Sequence, residues 1–240
     1  MSTKALGKNA LDLNLKGKKL LDKIKRKKFK IGYGVDIWNV YDFLYLDENK
    51  IPTLKVLEIS IPALSTFTIE SKSMKLYLNN YHDKSYKKDS DLIKDIKNDI
   101  EELVESRVSI KLINEFYDEP DNILLNITTD KKSTPNTILK FNGFRSICPV
   151  TSQPDFANIY IYSDISIDTK WLVDYLISYH NHGGFHEECM NNIFVDIRKK
   201  YKASVLQICG RFQRRGGIDI NPIRSTSEKL LFSNFREFNQ

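Results

Sequence analysis

The spacing of apolar residues divides the chain into two halves with similar element order. In the first half, Leu54, Val56, Ile59 and Ile61 mark a β-rich run that ends near Pro62. Met74 to Leu78 reads as a short helix. A longer one follows, with Ser90 as the expected N-cap and Leu92, Ile93, Ile96, Ile100, Leu103 and Val104 recurring at helical spacing. Strands are predicted over Val108 to Ile113 and Ile123 to Thr128, on either side of the turn-rich Asp118-Glu119-Pro120-Asp121-Asn122. Thr129 to Asn136 is polar throughout and is the expected linker.

The second half opens with a predicted strand at Thr137 to Phe141, and Ala157 to Tyr162 alternates as another. Asp168 or Thr169 is expected to cap a helix whose apolar side carries Trp171, Leu172, Tyr175, Leu176 and Tyr179. A second helix from about Phe185 turns Cys189, Met190, Ile193, Phe194 and Ile197 inward. Val205 to Ile208 is a strand, and Gly216-Gly217 interrupts the chain before Ile218-Asp219-Ile220. Each half therefore reads strand, strand, helix, helix, strand, strand. This predicts an α+β fold of two tandem modules, each an antiparallel sheet with helices packed on one face. The expected boundaries are a basic arm over 1–30, one module over 31–130 and a second over 131–240. Sequence identity between the halves is negligible, so the repeat is one of pattern.

Composition adds limits on location. Three widely spaced cysteines argue against a disulfide framework and fit a reducing cytoplasm. No apolar run approaches the ~20 residues that span a bilayer, and no secretory leader is expected. Lys16 to Lys30 is strongly basic, and without it the chain is slightly acidic. It is expected to be a solvated, partly helical leader, with contact to nucleic acid or an anionic surface as the other reading. No direct nucleic-acid binding is required of the body.

Four segments carry candidate chemistry. In Cys148-Pro149-Val150-Thr151-Ser152-Gln153-Pro154-Asp155, one cysteine stands a short reach from a carboxylic acid. A thiolate is a strong nucleophile, and a neighbouring carboxyl can shuttle the proton that such chemistry needs. The second segment, Ser178 to Cys189, holds His180, His182 and His186 around Gly183-Gly184. These residues raise a metal reading, but Met190 stands where a second histidine would complete H-E-x-x-H. The alternative is that a helix presents His186 and Glu187 from its first turn to a polar heterocycle. The third segment, Glu70-Ser71-Lys72-Ser73-Met74-Lys75, opens a helix and suits an anion or, more plainly, a cap. In the fourth, Arg214-Arg215-Gly216-Gly217, glycines let backbone approach a ligand and arginines supply phosphate contacts; a β-turn with exposed arginines explains it equally. Gly32-Tyr33-Gly34 lacks the third glycine of a dinucleotide fingerprint, so any nicotinamide cofactor is bound by something other than a Rossmann fold.

Together, E-S-K-S-x-K, C-P-V-T-x-Q-P-D, F-H-E and R-R-G-G-x-D-I-N-P stand in the order found in one family, which the chain resembles from Gly34-Val35-Asp36-Ile37-Trp38 to Asn221-Pro222-Ile223-Arg224. That family is the NADPH-dependent nitrile reductases that convert 7-cyano-7-deazaguanine to its aminomethyl form in queuosine biosynthesis, in their two-module form. The resemblance implies a tunnelling fold, shared with the zinc-dependent GTP cyclohydrolases. It makes Cys148 the nucleophile and Asp155 the proton donor, with His186 as a second proton source. Ile69, Glu70, Ser71, His186 and Glu187 would hold the deazaguanine, and Ser71, Lys72, Arg215 and Gly216 would contact NADPH. With Glu70 in one half and Cys148 in the other, the site is expected at the module interface. No metal is expected, and a cytoplasmic homodimer is. The region from Asp118 to Asn142 is shorter than in the two-module form, which leaves the dimer interface open, and Phe156 replaces a frequent Trp. Two other readings stand beside this one. The first is metal-assisted ring hydrolysis of a pterin or purine on the same fold, with His182, His186 and Cys189 as ligands. The second is a non-catalytic binder of modified purines or RNA through the basic arm.

Overall fold

The computed structural model describes residues 15–28, 32–125 and 132–240. Its elements are β1 (Lys23–Lys25), β2 (Tyr33–Leu46), β3 (Pro52–Pro62), β4 (Phe67–Ile69), α1 (Ser71–Asn79), α2 (Asp89–Val104), β5 (Ser109–Ile113) and β6 (Ile123–Leu124). These are followed by β7 (Thr137–Ile147), β8 (Pro154–Ser163), α3 (Thr169–Ile177), α4 (His186–Tyr201), β9 (Leu206–Phe212) and β10 (Ile218–Ser225). The described residues form two compact units: those within 1–27, 38–115 and 215–218 make the first, and those within 28–37, 116–214 and 219–240 the second. Among the described residues, no helix is long and apolar enough to cross a membrane.

In the first unit β3 pairs antiparallel with β5, setting Leu57 opposite Leu112 and Ile59 opposite Ile110. On α2, Leu92, Ile96, Ile100 and Val104 lie on one stripe and are fully buried, as the helical spacing requires. The helix begins two residues earlier than expected. Lys88 stands at the N-cap without a side-chain hydrogen bond, and Ser90 lies inside the first turn. Asp89 and Asp91 in that turn complement the helix dipole and replace the missing cap. The basic segment differs more from expectation. Within it, Lys23–Lys25 pairs with Phe67–Ile69, Leu20 and Leu21 are buried, and Lys18 and Lys23 form ion pairs with Glu102 and Glu105. From Gly17 to Lys25 it is thus built into the first unit, because two leucines among its lysines supply the apolar surface that docks it. Residues 1–14 and 29–30 of the arm lie outside the described residues.

In the second unit β7, β8, β9 and β10 pair antiparallel in that order, and β6 adds to β7 in parallel. A bulge between Phe141 and Phe144, with Gly143 at φ +80°, lets two aromatic residues three apart face the same core. That core takes Phe144, Ala157, Ile159, Ile161, Leu206, Ile208 and Phe212 from the sheet, Leu172 and Leu176 from α3, and Met190, Ile193, Phe194 and Ile197 from α4. Each large side chain buried there contributes roughly 1.5–3 kcal/mol. The strand expected over Ile123 to Thr128 is only Ile123–Leu124, and residues 126–131, including the start of the expected linker, lie outside the described residues.

The α+β class is confirmed, in an arrangement of tunnelling-fold type, and the repeat runs deeper than a pattern. α1 and α3 are each 9 residues long, and each is capped by a carboxylate, Glu70 or Asp168. α2 and α4 are each 16 residues long and end on a left-handed residue, Glu105 or Lys202. In the first unit Tyr77 and Tyr81 share a hydroxyl hydrogen bond of 2.8 Å, and Tyr77 donates to Asp99 at 2.9 Å. In the second, Tyr175 and Tyr179 share one of 3.0 Å, and Tyr175 donates to Asp196 at 2.6 Å. Burial pushes Tyr81 and Tyr179 up to about 12 and their partners higher still, so all four remain donors.

Candidate active site

Cys148 sits at the end of the β7–β8 hairpin. Its N–H donates to the Gln153 carbonyl at 2.9 Å, and its own carbonyl accepts from the Ser152 N–H at 3.0 Å, closing a tight loop in which Ser152 is at φ +57°. Ser146 stands directly opposite Asp155 in the ladder. Pairing along β7 places Phe144 and Ser146 on the face that carries Asp155 and Ala157, the face covered by α3 and α4, and Cys148 follows directly in the connecting loop. The sequence puts the thiol and the acid on one hairpin, the thiol in its loop and the acid at the start of β8.

The Gly183-Gly184 segment lies alongside this strand end. Ile147 donates to the His182 carbonyl at 2.9 Å and accepts from the Gly184 N–H at 3.0 Å. The Arg145 guanidinium donates to the His180 carbonyl and, at 3.2 Å, to Asn181 Oδ1. A Cβ at Gly184 would come within 3.1 Å of Cys189 Sγ, a tight contact that glycine avoids. The chain then enters α4 at His186. Its Nε2 lies 3.2 Å from Asp155 Oδ1, and its ring stacks on Phe212 at 3.9 Å and 6°. The carboxylate and imidazole named separately from sequence are thus one pair. Glu187 follows in the first turn and is buried. Beneath that turn Arg224 bonds the Asp36 carboxylate at 2.8 Å, the Asn191 side chain and the Glu187 carbonyl. Phe212 was not singled out from sequence, although the alternation of Leu206, Ile208, Gly210 and Phe212 directs its ring toward the helices.

The three thiols are not equivalent. Cys189 is pushed up to about 12 by burial and Cys209 up to about 11, whereas Cys148 is partly exposed. Iodoacetamide at pH 8 is expected to label Cys148 alone in the folded protein, with the other two reacting only after denaturation, as read by peptide mass spectrometry. Labelling of Cys189 in the native state would contradict this. Among the described residues no group of three His, Cys, Asp or Glu side chains is placed to hold a metal ion. His182, His186 and Cys189 are engaged differently: the first packs on the Tyr179 ring, the second meets Asp155, and the third is a buried neutral thiol.

The remaining candidates lie in the first unit. Glu70 is buried and caps α1, accepting from the Lys72 N–H at 2.9 Å and the Ser73 N–H at 2.7 Å. A carboxylate offers about four acceptor directions, so capping leaves room for further donors. Ser71 and Lys72 form the first turn, and Ile69 ends β4. Arg215 and Ile218 bridge across Gly216 and Gly217, whose φ angles of +57° and +78° make this a two-residue hairpin turn that suits glycine at both positions. A Cβ at Gly217 would overlap the Asp42 carboxylate at 2.1 Å. Gly216, Lys75, Asp42, Asn79 and Ile218 help line a cavity of about 220 Å³.

Two family models match the chain. "Nitrile reductase, 7-cyano-7-deazaguanine-reductase N-term" covers residues 14–112, and "QueF-like protein" covers residues 154–230. An NADPH-dependent 7-cyano-7-deazaguanine reductase from Buchnera aphidicola subsp. Schizaphis graminum is 36% identical over 231 residues, which is 84% of this chain and 88% of that relative. The chain belongs to the 7-cyano-7-deazaguanine reductase family. Reductases of the same name from Coxiella burnetii and Burkholderia vietnamiensis are each 35% identical, with 87% of this chain covered and 82% and 84% of the relatives. For the NADPH that this family of oxidoreductases uses, the cavity beside Gly216 offers the Lys75 cation together with the Asp42 carboxylate. It joins glycine backbone to a lysine ammonium and is too small for a whole dinucleotide.

Proposed function

We propose that the chain reduces the nitrile of 7-cyano-7-deazaguanine to the primary amine with NADPH, through a covalent thioimide on Cys148, as a step toward queuosine. The observation that supports this reading is the meeting of Asp155 and His186 at the end of the hairpin that carries the accessible thiol. A free thiol is only a few per cent ionised at neutral pH, so it needs a base, and Asp155 takes its proton. Sulfur then bonds to the nitrile carbon as one π bond breaks, and Asp155 returns the proton to nitrogen. When bound, NADPH supplies hydride to that carbon, two equivalents carrying the nitrile to the amine. Cys148 leaves as thiolate between the two reductions, and the Asp155–His186 pair provides the further proton that the nitrogen requires. Ile69, Glu70, Ser71, His186 and Glu187 hold the guanine-like ring, whose N–H donors suit carboxylate acceptors. Ser71, Lys72, Arg215 and Gly216 contact NADPH, and the working form is a homodimer in the cytoplasm.

The test is NADPH oxidation with the cyano-deazaguanine. Two NADPH consumed per amine formed, unchanged by chelator, is the expected result; no consumption, or consumption lost on chelation, defeats the reading. Asp155→Asn is expected to slow formation of the covalent adduct about 100-fold or more while binding changes only severalfold. Equal adduct rates in mutant and wild type would remove Asp155 from the proton path.

A further inference from the structure

We infer that Phe212 is a positioning residue for the reduction, holding the His186 imidazole in the plane from which it serves the nitrile nitrogen. This rests on the reductase reading above, and it adds a residue which that reading does not use. His186 is the first residue of α4, and Phe212 gives its ring a near-parallel face at 3.9 Å. With the ring plane set, Nε2 meets Asp155 at 3.2 Å. Nδ1 is buried and has no hydrogen-bond partner among the described residues. A buried ring nitrogen without a partner is costly, so its position points to a polar atom delivered by a ligand.

The structure fixes Phe212 from several sides. Its ring is fully buried and meets Phe144 edge-on at 6.1 Å. A Cβ at Gly210 would come within 2.8 Å of this ring and 2.9 Å of Met190 Sδ, so glycine at 210 provides the space the ring occupies. The Phe212 carbonyl accepts from the Gln240 side-chain amide at 2.9 Å, and the next N–H, of Gln213, bonds the Phe156 carbonyl at 2.9 Å. An imidazole fastened only through Nε2 would still swing about that bond. The stack removes this freedom, as catalysis requires of a group that must deliver a proton at one atom.

The experiment pairs Phe212→Met, which keeps a long apolar side chain but removes the flat face, with His186→Ala. Phe212→Met is expected to lower kcat about tenfold and leave KM for the nitrile within about twofold. In the His186→Ala background the same change should have almost no further effect. In histidine-labelled protein without substrate, the His186 ring protons should sit upfield under the Phe212 ring current and move downfield in Phe212→Met. An equal kcat loss in both backgrounds overturns the proposal, as do ring protons that do not move. If the reductase reading itself fails, wild type oxidises no NADPH, while the ring-proton shift still decides whether the stack exists.

Discussion

Cys148→Ala is expected to abolish turnover, with a rate loss of about 10⁴-fold or more, and to leave no covalent trace of the substrate. Intact-protein mass spectrometry of wild type with the cyano-deazaguanine and no NADPH should show one adduct of the substrate's mass. Cys148→Ala should show none. The size of the effect follows from the absence of a substitute nucleophile. Cys189 and Cys209 are buried thiols pushed up to about 12 and about 11, so neither supplies a thiolate at neutral pH. In the proposed mechanism Asp155 and His186 would remain in place, but a neutral nitrile carbon is a poor hydride acceptor without prior addition of sulfur. An adduct that persists in Cys148→Ala would move the nucleophile elsewhere.

Arg224→Met is expected to cost about 3–5 kcal/mol of stability. For a chain of this length that lowers the melting temperature by roughly 6–20 °C in a thermal scan. Arg224 and Asp36 are both fully inaccessible and 2.8 Å apart, so removing the guanidinium breaks a buried charge pair. The same guanidinium holds Asn191 and the Glu187 carbonyl, so the first turn of α4, where His186 stands, loosens with it. Adding Asp36→Leu to Arg224→Met should recover much of the loss, since an ion pair replaced as a unit costs far less than one that is broken. A single mutant that melts with the wild type would show that the pair supports nothing.

The helices were legible because their burial is one-sided. Leu92, Ile96, Ile100 and Val104, and likewise Met190, Ile193, Phe194 and Ile197, recur at a period that only a helix turns to a common face. The start of α2 was misread at Ser90 because local capping chemistry competes with a hydrogen bond made from elsewhere: Tyr45 donates to Asp89 at 2.6 Å. The basic arm was read by its charge, although the two leucines within it dock it. Of the candidate residues, Cys148, Asp155 and His186 were recognisable as chemistry. Glu70 was named as a ring acceptor, and its capping of α1 was left open only as a general alternative.

The sequence by itself determined the α+β class and the family and named the groups proposed to react, because residue type and periodicity carry that information locally. Only the tertiary structure decided which groups meet. Strand register puts Asp155 opposite Ser146 and the glycine-bearing segment beside Ile147, and α4 then brings His186 to Asp155 over the face of Phe212. It also showed that the halves repeat a Tyr-Tyr-Asp bond set that sequence identity does not reveal. The reason is that such contacts depend on the packing of helix against helix and strand against strand, which many sequences satisfy and none spells out along the chain.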